Sequence, residues 1–212
     1  MNLKFVFDFI FHLDKYLLTI IDQYGVLTHV FLFLIIFVET GFVITPFLPG
    51  DSIIFAAGTF SALGYFTLLP LFLNLFLAAV AGDTVNYFIG KKIGPKIFER
   101  DSRFIKKEHL LRTRLFYEKH GGKTIILARF IPIIRTFAPF VAGVGIMNYK
   151  RFVFFNIIGA FLWVGLFLSL GYFFGNIPFI KNNFEATILV IILISIIPIS
   201  IEVIKSKTGK KS

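Results

Sequence analysis

Long uncharged runs are the first feature of this chain that predicts structure. Residues 152–175 contain no charged side chain. Because about 20 apolar residues cross the hydrocarbon core of a bilayer, this run predicts a transmembrane helix over 150–175. Another uncharged run, 186–201, predicts a span over 184–204. These runs favour an all-α integral membrane protein.

A longer uncharged run, residues 52–82, is divided by Gly64 and Pro70. Glycine and proline are strong local punctuators, so the run predicts a short apolar arm followed by a spanning helix over 66–90. The preceding N-terminal segment, 1–24, mixes Phe, Ile and Leu with charged residues and predicts an amphipathic helix lying in the membrane interface. That segment contains acids and has no small-residue cleavage pattern, so no secretory signal is expected.

Two further apolar segments, residues 38–65 and 124–145, are interrupted where a helix would otherwise continue. The interrupting residues are Pro46, Pro49, Gly50, Pro132 and Pro139. Broken backbone at membrane depth is tolerated where protein or a water-filled cavity surrounds it. Both segments are therefore predicted to be re-entrant hairpins, which enter the membrane and return to the same side.

The charge distribution predicts the orientation of the chain. The loop 91–123 has eleven Lys and Arg against four acids, 11 − 4 = +7, and the tail 205–212 is also basic. The positive-inside rule places both in the cytoplasm, together with the Lys150–Arg151 pair. Basic residues on both sides of 124–145 agree with a re-entrant segment and disagree with a single span. A dedicated partner-binding role for the basic loop stays open beside the orienting one.

A weak internal repeat relates the two halves of the membrane domain, residues 25–205. Gly58 and Gly143 are 143 − 58 = 85 positions apart, and six more identical pairs have the same spacing. Those pairs are Phe55/Phe140, Ala57/Ala142, Phe76/Phe161, Tyr87/Tyr172, Phe88/Phe173 and Gly90/Gly175. Because the charge rule gives the two spanning helices opposite directions, the interpretation is an inverted repeat, as in many secondary transporters. Chance matching in a Phe- and Gly-rich chain is the alternative.

Charged residues in the two broken segments are the candidate site. An inverted repeat would bring Glu39 and Asp51 close to Arg129 and Arg135 near the midplane, where the four charges sum to zero. The arginine fork matches phosphate, and a carboxylate in a low-dielectric site can take up a proton near neutral pH. Asp83, within the first spanning helix, is expected to be a pathway group or a polar bond to the neighbouring half.

Other polar residues receive simpler interpretations. Asn86 and Asn156 are expected to form interhelical hydrogen bonds, and Thr136 is expected to cap a helix that begins near Pro139. Trp163 is expected to be an ordinary packing or interfacial residue. Purely structural ion pairs between the broken segments stay open as an alternative to a transport site.

Composition narrows the function classes. Of the 212 residues 57% are hydrophobic and none is Cys, which excludes disulfides, thiolate metal sites and cysteine nucleophiles. The net charge of +10 is attributed to orientation and anionic lipid rather than nucleic acid. No hydrolase, zinc-protease or P-loop motif occurs. We therefore expect no enzyme activity, catalytic residue, metal or cofactor.

Four stretches of the chain resemble bacterial membrane proteins of the DedA family, also called the VTT or SNARE-associated domain family, and its DedA subgroup in particular. They are FVETGFVITPFLPGDSIIFAAG, AGDTVNYFIGKKIG, FYEKHGGKTIILARFIPIIRTFAPFVAGVG and FNIIGAFLWVGLFLSLGYFFG. The resemblance implies movement of phospholipids or polyprenyl phosphates such as undecaprenyl phosphate between leaflets, linked to the proton motive force and envelope integrity. By motif match, Glu39, Asp51, Arg129 and Arg135 fall on residues that the family requires.

The resulting hypothesis is a bacterial inner-membrane transporter of anionic lipid headgroups, coupled to protons. Arg129 and Arg135 would bind phosphate, whereas Glu39 and Asp51 would carry protons. The expected partners are the lipid substrate and membrane lipids, and a homo-oligomer is left open. Two alternatives remain: a proton-coupled antiporter for a small cation or drug, and a membrane assembly or scaffold protein that transports nothing.

Overall fold

The computed structural model describes residues 25, 27–42, 50–99, 122–145, 147–175, 177 and 178. Six helices account for nearly all of these residues, and no strand occurs among them. The helices are α1 (Leu27–Gly41), α2 (Gly50–Ala62), α3 (Leu68–Glu99), α4 (Lys123–Ala128), α5 (Pro132–Val144) and α6 (Tyr149–Gly175). The predicted all-α class is confirmed.

Two of the described helices are long and apolar enough to cross a membrane. They are Leu68–Ile93 of α3 and the whole of α6. The helix α3 runs on to Glu99, so the first nine residues of the loop predicted at 91–123 are helical instead. The reason is that lysine is a good helix former; Lys91 and Lys92 end the apolar run without ending the helix.

Several predictions lie outside the described residues. They concern the N-terminal segment 1–24, the span 184–204, the tail 205–212, most of the basic loop, and the breakers Pro46 and Pro49. The described part of the first broken segment shows α1 ending at Gly41 and α2 beginning at Gly50. After α2, Gly64 adopts a left-handed φ of 91°, which a glycine accommodates without steric cost.

The second broken segment consists of two helices joined by a short turn. The short helix α4 ends at Ala128, and Ile131 is extended (φ −117°, ψ 109°) before α5 begins at Pro132. Proline suits this first helical position because its missing N–H would have had no helical partner there. The break therefore falls beside Pro132, as the sequence predicts.

The second proline of this segment does not break the helix. Pro139 lies inside α5, so the predicted break at Pro139 and the predicted capping role of Thr136 are wrong. A proline inside a helix disturbs the hydrogen bonds of the preceding turn. Here the Asn86 side-chain amide donates to the Thr136 carbonyl at 2.7 Å. A polar side chain of a neighbouring helix thus satisfies backbone near the proline.

The chain forms two compact units, and three helices contribute residues to both. The first unit comprises residues 1–30, 49–71 and 166–212. Within it, α2 packs closely on the last part of α6, since a Cβ on Gly58 would collide with the Leu168 carbonyl. The Thr59 hydroxyl donates to the Gly171 carbonyl at 3.1 Å. Small residues allow this close approach, as is common between helices in membranes.

The second unit comprises residues 31–48 and 72–165. Within it, α5 packs on α3 through a reciprocal pair of glycine contacts. A Cβ on Gly143 would meet the Tyr87 carbonyl, and a Cβ on Gly90 would meet the Phe140 carbonyl. The Tyr87 hydroxyl donates to the Met147 carbonyl, so the chain after α5 is also fixed against α3.

We expect Gly90→Ala to destabilise the protein, because the added methyl group would overlap the Phe140 backbone, which cannot move as a side chain can. Overpacking of this kind costs about 1–3 kcal/mol or more. The matched control is Gly165→Ala, whose Cβ would have its nearest neighbour, Phe72 Cε2, at 3.8 Å. That variant should be neutral or stabilised by up to about 1 kcal/mol. Thermal unfolding in detergent would measure both, and equal melting temperatures would contradict the packing described here.

Candidate functional site

Two arginines are buried in the second unit. The side chains of Arg129 and Arg135 are 2% and 4% exposed. Arg129 is the C-cap residue that follows Ala128 at the end of α4, and Arg135 lies in the first turn of α5. The break between α4 and α5 therefore positions both guanidinium groups, and each needs compensation because an unpaired buried charge is very costly.

Arg129 is held by residues of two other helices. Its Nη2 donates to the Asp83 carboxylate on α3 and to the Asn156 side-chain oxygen on α6. The Asn156 amide in turn donates to the Val80 carbonyl at 3.1 Å. Asn156 is thus the interhelical hydrogen-bonding residue that the sequence predicts, and Asp83 forms an ion pair with the second broken segment.

The backbone of α6 leaves room for the Arg129 side chain. Gly159 lies three residues after Asn156, on the same helix face. A Cβ at this glycine would lie 3.2 Å from Cδ and Nε of Arg129. A larger residue at position 159 would therefore press on the arginine, so α6 contributes a hydrogen-bonding side chain and a gap beside it.

Arg135 is paired with Glu39. The Arg135 Nη2 donates to the Glu39 carboxylate, which lies on α1 and is fully buried. Beside this pair, the Asn86 amide donates to the Thr40 carbonyl at 3.1 Å and to the Thr136 carbonyl at 2.7 Å. Asn86 therefore joins α1, α3 and α5 next to the second ion pair, and it also has the interhelical role that the sequence predicts.

Trp163 contacts both guanidinium groups. The Cζ atoms of Arg129 and Arg135 lie 5.8 Å and 4.8 Å from its ring centroid, and the tryptophan is fully buried. Cation–π attraction is strongest for tryptophan and for desolvated cations. The interpretation of Trp163 as ordinary packing is therefore wrong. Its position seven residues after Asn156 places it on the same face of α6, and that spacing is the signal that could have identified it.

Part of the Arg129 cluster lacks hydrogen-bond partners among the described residues. The atoms concerned are Nε and Nη1 of Arg129 and Oδ1 of Asp83. Buried polar atoms normally have a protein, water or ligand partner. The two N–H-bearing nitrogens of the guanidinium are able to donate to water or to the oxygens of an anion, and the carboxylate oxygen is able to accept from water.

The structure brings together part of the predicted set. Glu39 and Arg135 lie together, whereas the carboxylate that pairs with Arg129 belongs to Asp83. Asp51 lies in the first unit, in the first turn of α2, and is partly exposed. The predicted approach of Asp51 to the arginines stays a prediction. Among the described residues, no group of His, Cys, Asp and Glu could hold a metal ion.

In the part of the chain that the structure describes, the folded elements are helices, two of which are apolar and long enough to cross a membrane, and two ion pairs are buried between them; these features define a helical membrane protein with a polar interior site. A comparison with family models matches residues 48–173 to the VTT domain. Together with the relatives below, this match shows that the chain belongs to the DedA family of VTT-domain membrane proteins. No solved structure matches the chain.

The similar proteins cover most of the chain. Protein DedA of Escherichia coli K12 is 50% identical over 206 residues, which are 96% of this chain and 94% of that protein. An uncharacterized membrane protein of Mycobacterium tuberculosis H37Rv is 45% identical over 78% of this chain and 74% of its own. Inner membrane protein YghB of Escherichia coli K12 is 30% identical over 78% of this chain and 76% of its own.

Proposed function

We propose that this protein moves an anionic lipid headgroup between the leaflets of the bacterial inner membrane, with a polyprenyl phosphate or a glycerophospholipid as substrate. The observation that carries the proposal is the pair of buried guanidinium groups, Arg129 and Arg135, that both contact the ring of Trp163. Both belong to a broken segment between membrane-length helices. Two adjacent buried cations are costly in a membrane protein unless they serve an anion or a structural pair.

The chemistry of the site suits a phosphate group. Arg129 presents Nε and Nη1 with no protein partner among the described residues, and a guanidinium fork binds phosphate oxygens through paired hydrogen bonds. The carboxylates of Asp83 and Glu39 neutralise the arginines when no headgroup is bound. In the proposed cycle, a phosphate displaces a carboxylate from its arginine. The lipid tails stay in the bilayer and only the headgroup crosses.

Proton coupling follows from the same displacement. A buried carboxylate that loses its arginine is left as an uncompensated charge, and taking up a proton removes that penalty. Glu39 is placed for this role by its contact with Arg135. Asp51, in the first unit, is proposed as a second proton carrier by its position in the first turn of α2. We propose no enzyme activity and no cofactor for this cycle.

The architecture proposed for the cycle is an inverted repeat with two re-entrant hairpins. Support comes from equivalent contacts inside each unit. In the first unit Gly58 lies against the α6 backbone at Leu168 and Tyr172, and in the second Gly143 lies against the α3 backbone at Tyr87. The two glycines are 143 − 58 = 85 positions apart, and the carbonyls they meet, those of Leu168 and Tyr87, are 168 − 87 = 81 apart, so the contacts correspond with a shift of about one helical turn.

The proposed location is the inner membrane, with the basic loop on the cytoplasmic side. The name of the relative YghB as an inner membrane protein supports the location. The excess of lysine and arginine in residues 91–123 supports the orientation.

The proposal is tested by placing purified protein in lipid vesicles and measuring the leaflet redistribution of a labelled anionic lipid. Movement faster than in protein-free vesicles is expected, and a proton gradient should change its rate. Redistribution at the protein-free rate, for both a labelled polyprenyl phosphate and phosphatidylglycerol, would overturn the proposal. If cation addition changes the internal pH and no lipid moves, the antiporter alternative is favoured. If neither occurs, a scaffold role is favoured.

A further inference from the structure

Three helix ends in the second unit carry exposed cations. They are the end of the apolar part of α3, the beginning of α4 and the beginning of α6. The cations, called the basic rim below, are Lys91, Lys92, Lys123, Lys150 and Arg151, all exposed. The acids of this unit with described side chains are Glu39 and Asp83, and both are buried in the arginine site. The described residues therefore leave the positive charge of the rim without a neutralising acid.

Aromatic contacts hold the ends of α3 and α6 together. The rings of Tyr87 and Phe152 stack with centroids 4.5 Å apart, and those of Phe88 and Tyr149 lie 5.0 Å apart. These rings precede Lys91 on α3 and flank Lys150 and Arg151 on α6 within about one helical turn. The cations of the two helices are thus brought to one region by packing and not by sequence proximity.

The beginning of α4 joins the same region. Gly122, just before Lys123, lies against the ring of Phe155 on α6, where a Cβ would collide with the ring. At the beginning of α6, the Asn148 side-chain oxygen accepts a hydrogen bond from the backbone N–H of Lys150 at 3.0 Å. Asn148 therefore fixes the first turn of α6, which carries two of the cations.

Exposed aromatic residues accompany the cations. Phe88, Tyr149 and Phe154 are 46%, 38% and 59% exposed. Aromatic side chains with lysine and arginine are typical of the level at which a membrane helix meets the headgroups. An anionic phospholipid in the leaflet could place its phosphate among the cations and its acyl chains along the exposed apolar faces of α3 and α6.

The basic rim lies on the helices that also build the Arg129 cluster. At a rise of about 1.5 Å per residue, Asp83 is about 12 Å from Lys91 along α3, and Asn156 is about 8 Å from Arg151 along α6. Arg129 is about 9 Å from Lys123 along α4 by the same measure. Each of the three helices therefore carries a cation where its apolar part begins or ends, and a member of the buried cluster lies in it or directly after it.

We propose that the basic rim is a binding site for the headgroup of an anionic phospholipid, separate from the buried arginines. The rim would concentrate such lipids beside the path to Arg129. Binding at the rim depends on the charge and aromatic residues described above, and only its role in loading the transporter rests on the proposed function. The occupant is a membrane lipid, because the cations lie beside exposed aromatic and aliphatic side chains.

The test compares two variants with the same change in net charge. The rim variant is Lys91→Gln, Lys92→Gln, Lys150→Gln and Arg151→Gln. The matched control neutralises Lys205, Lys207, Lys210 and Lys211 of the tail. Purified protein in neutral detergent is titrated with phosphatidylglycerol and, separately, with phosphatidylcholine, and the bound lipid is counted by native mass spectrometry. Wild type should prefer phosphatidylglycerol.

We expect the rim variant to bind phosphatidylglycerol about 600-fold more weakly than wild type, since each of the four removed cations contributes about fivefold at the membrane surface. The tail control should bind as wild type does. Equal weakening of both variants would show that only net charge matters and would overturn the proposal. Displacement of the lipid by an equal concentration of inorganic phosphate would also overturn it, since the site would then be one for free phosphate.

The outcome for the rim is separate from the outcome for transport. If wild type binds phosphatidylglycerol at the rim but moves no lipid between leaflets, the proposed function fails and the rim stands. If lipid moves and the rim variant binds as wild type does, the rim fails and the proposed function stands. The melting temperature of the rim variant shows whether it is folded. We expect this temperature to be unchanged, because the substituted positions are exposed.

Discussion

Arg129→Lys is expected to lower the rate of lipid redistribution about 10- to 100-fold while the protein still folds and inserts. Lysine keeps the positive charge that Asp83 needs but has no planar fork. Losing one charge-assisted hydrogen bond costs about 1.5–3 kcal/mol, and about 1.4 kcal/mol corresponds to tenfold in rate. The measurement is leaflet redistribution of labelled anionic lipid in vesicles with equal amounts of inserted protein.

The control for this variant is Leu127→Ala, on the same short helix two residues earlier. Leu127 is 67% exposed and contacts neither arginine in the described contacts, so transport should stay within about twofold of wild type. Transport by Arg129→Lys at the wild-type rate would remove the phosphate-binding role from Arg129. The cluster with Asp83 and Asn156 would then be structural.

Substitutions in the Glu39–Arg135 pair are expected to have the second large effect. A double-mutant cycle, measured once for stability and once for transport, distinguishes the two roles of the pair. Glu39→Gln or Arg135→Gln alone leaves one buried charge without its ion-pair partner, which costs about 3–5 kcal/mol. The double variant removes both charges, and its two amides can hydrogen-bond to each other. We therefore expect it to be more stable than either single variant, with a coupling of about 2 kcal/mol or more in the free energy of unfolding.

Transport should behave differently from stability in this cycle. The double variant is expected to stay inactive in the leaflet assay, because the Arg135 charge that would bind phosphate is absent. Recovery of transport together with stability would show that the pair only holds α1 to α5. Additive destabilisation, with no coupling, would contradict the ion pair itself.

The spanning helices could be predicted from the sequence because they depend on a local property, a run of uncharged residues. The helix α6 begins within one residue of its predicted start. The end of α3 could not be read in the same way, since Lys91 and Lys92 stop an apolar run while favouring a helix. The break at Pro132 could be predicted from the local sequence. The continuity of α5 through Pro139 could not be predicted in this way. A distant residue, Asn86, bonds to the Thr136 carbonyl in the turn before this proline, and no local pattern shows that contact.

The sequence predicts several of the residues that form the site, but it does not predict every pair that these residues form. Opposite charges buried in two broken segments had to be compensated, and Glu39 with Arg135 illustrates this. The pairing of Arg129 with Asp83 depends on which helix faces α4 in the second unit, and no local pattern contains that information. Trp163 was overlooked because an uncharged residue in an apolar helix gives no sign of its contacts except its spacing from Asn156.

The position of Trp163 has a practical consequence. It is the single tryptophan among the 212 residues, so the indole emission of the protein arises at the arginine site alone. Emission from an indole responds to nearby charge and to water, and both would change when an anion enters or a guanidinium moves. The unlabelled protein thus carries its own fluorophore at the place where a bound phosphate would have to be observed.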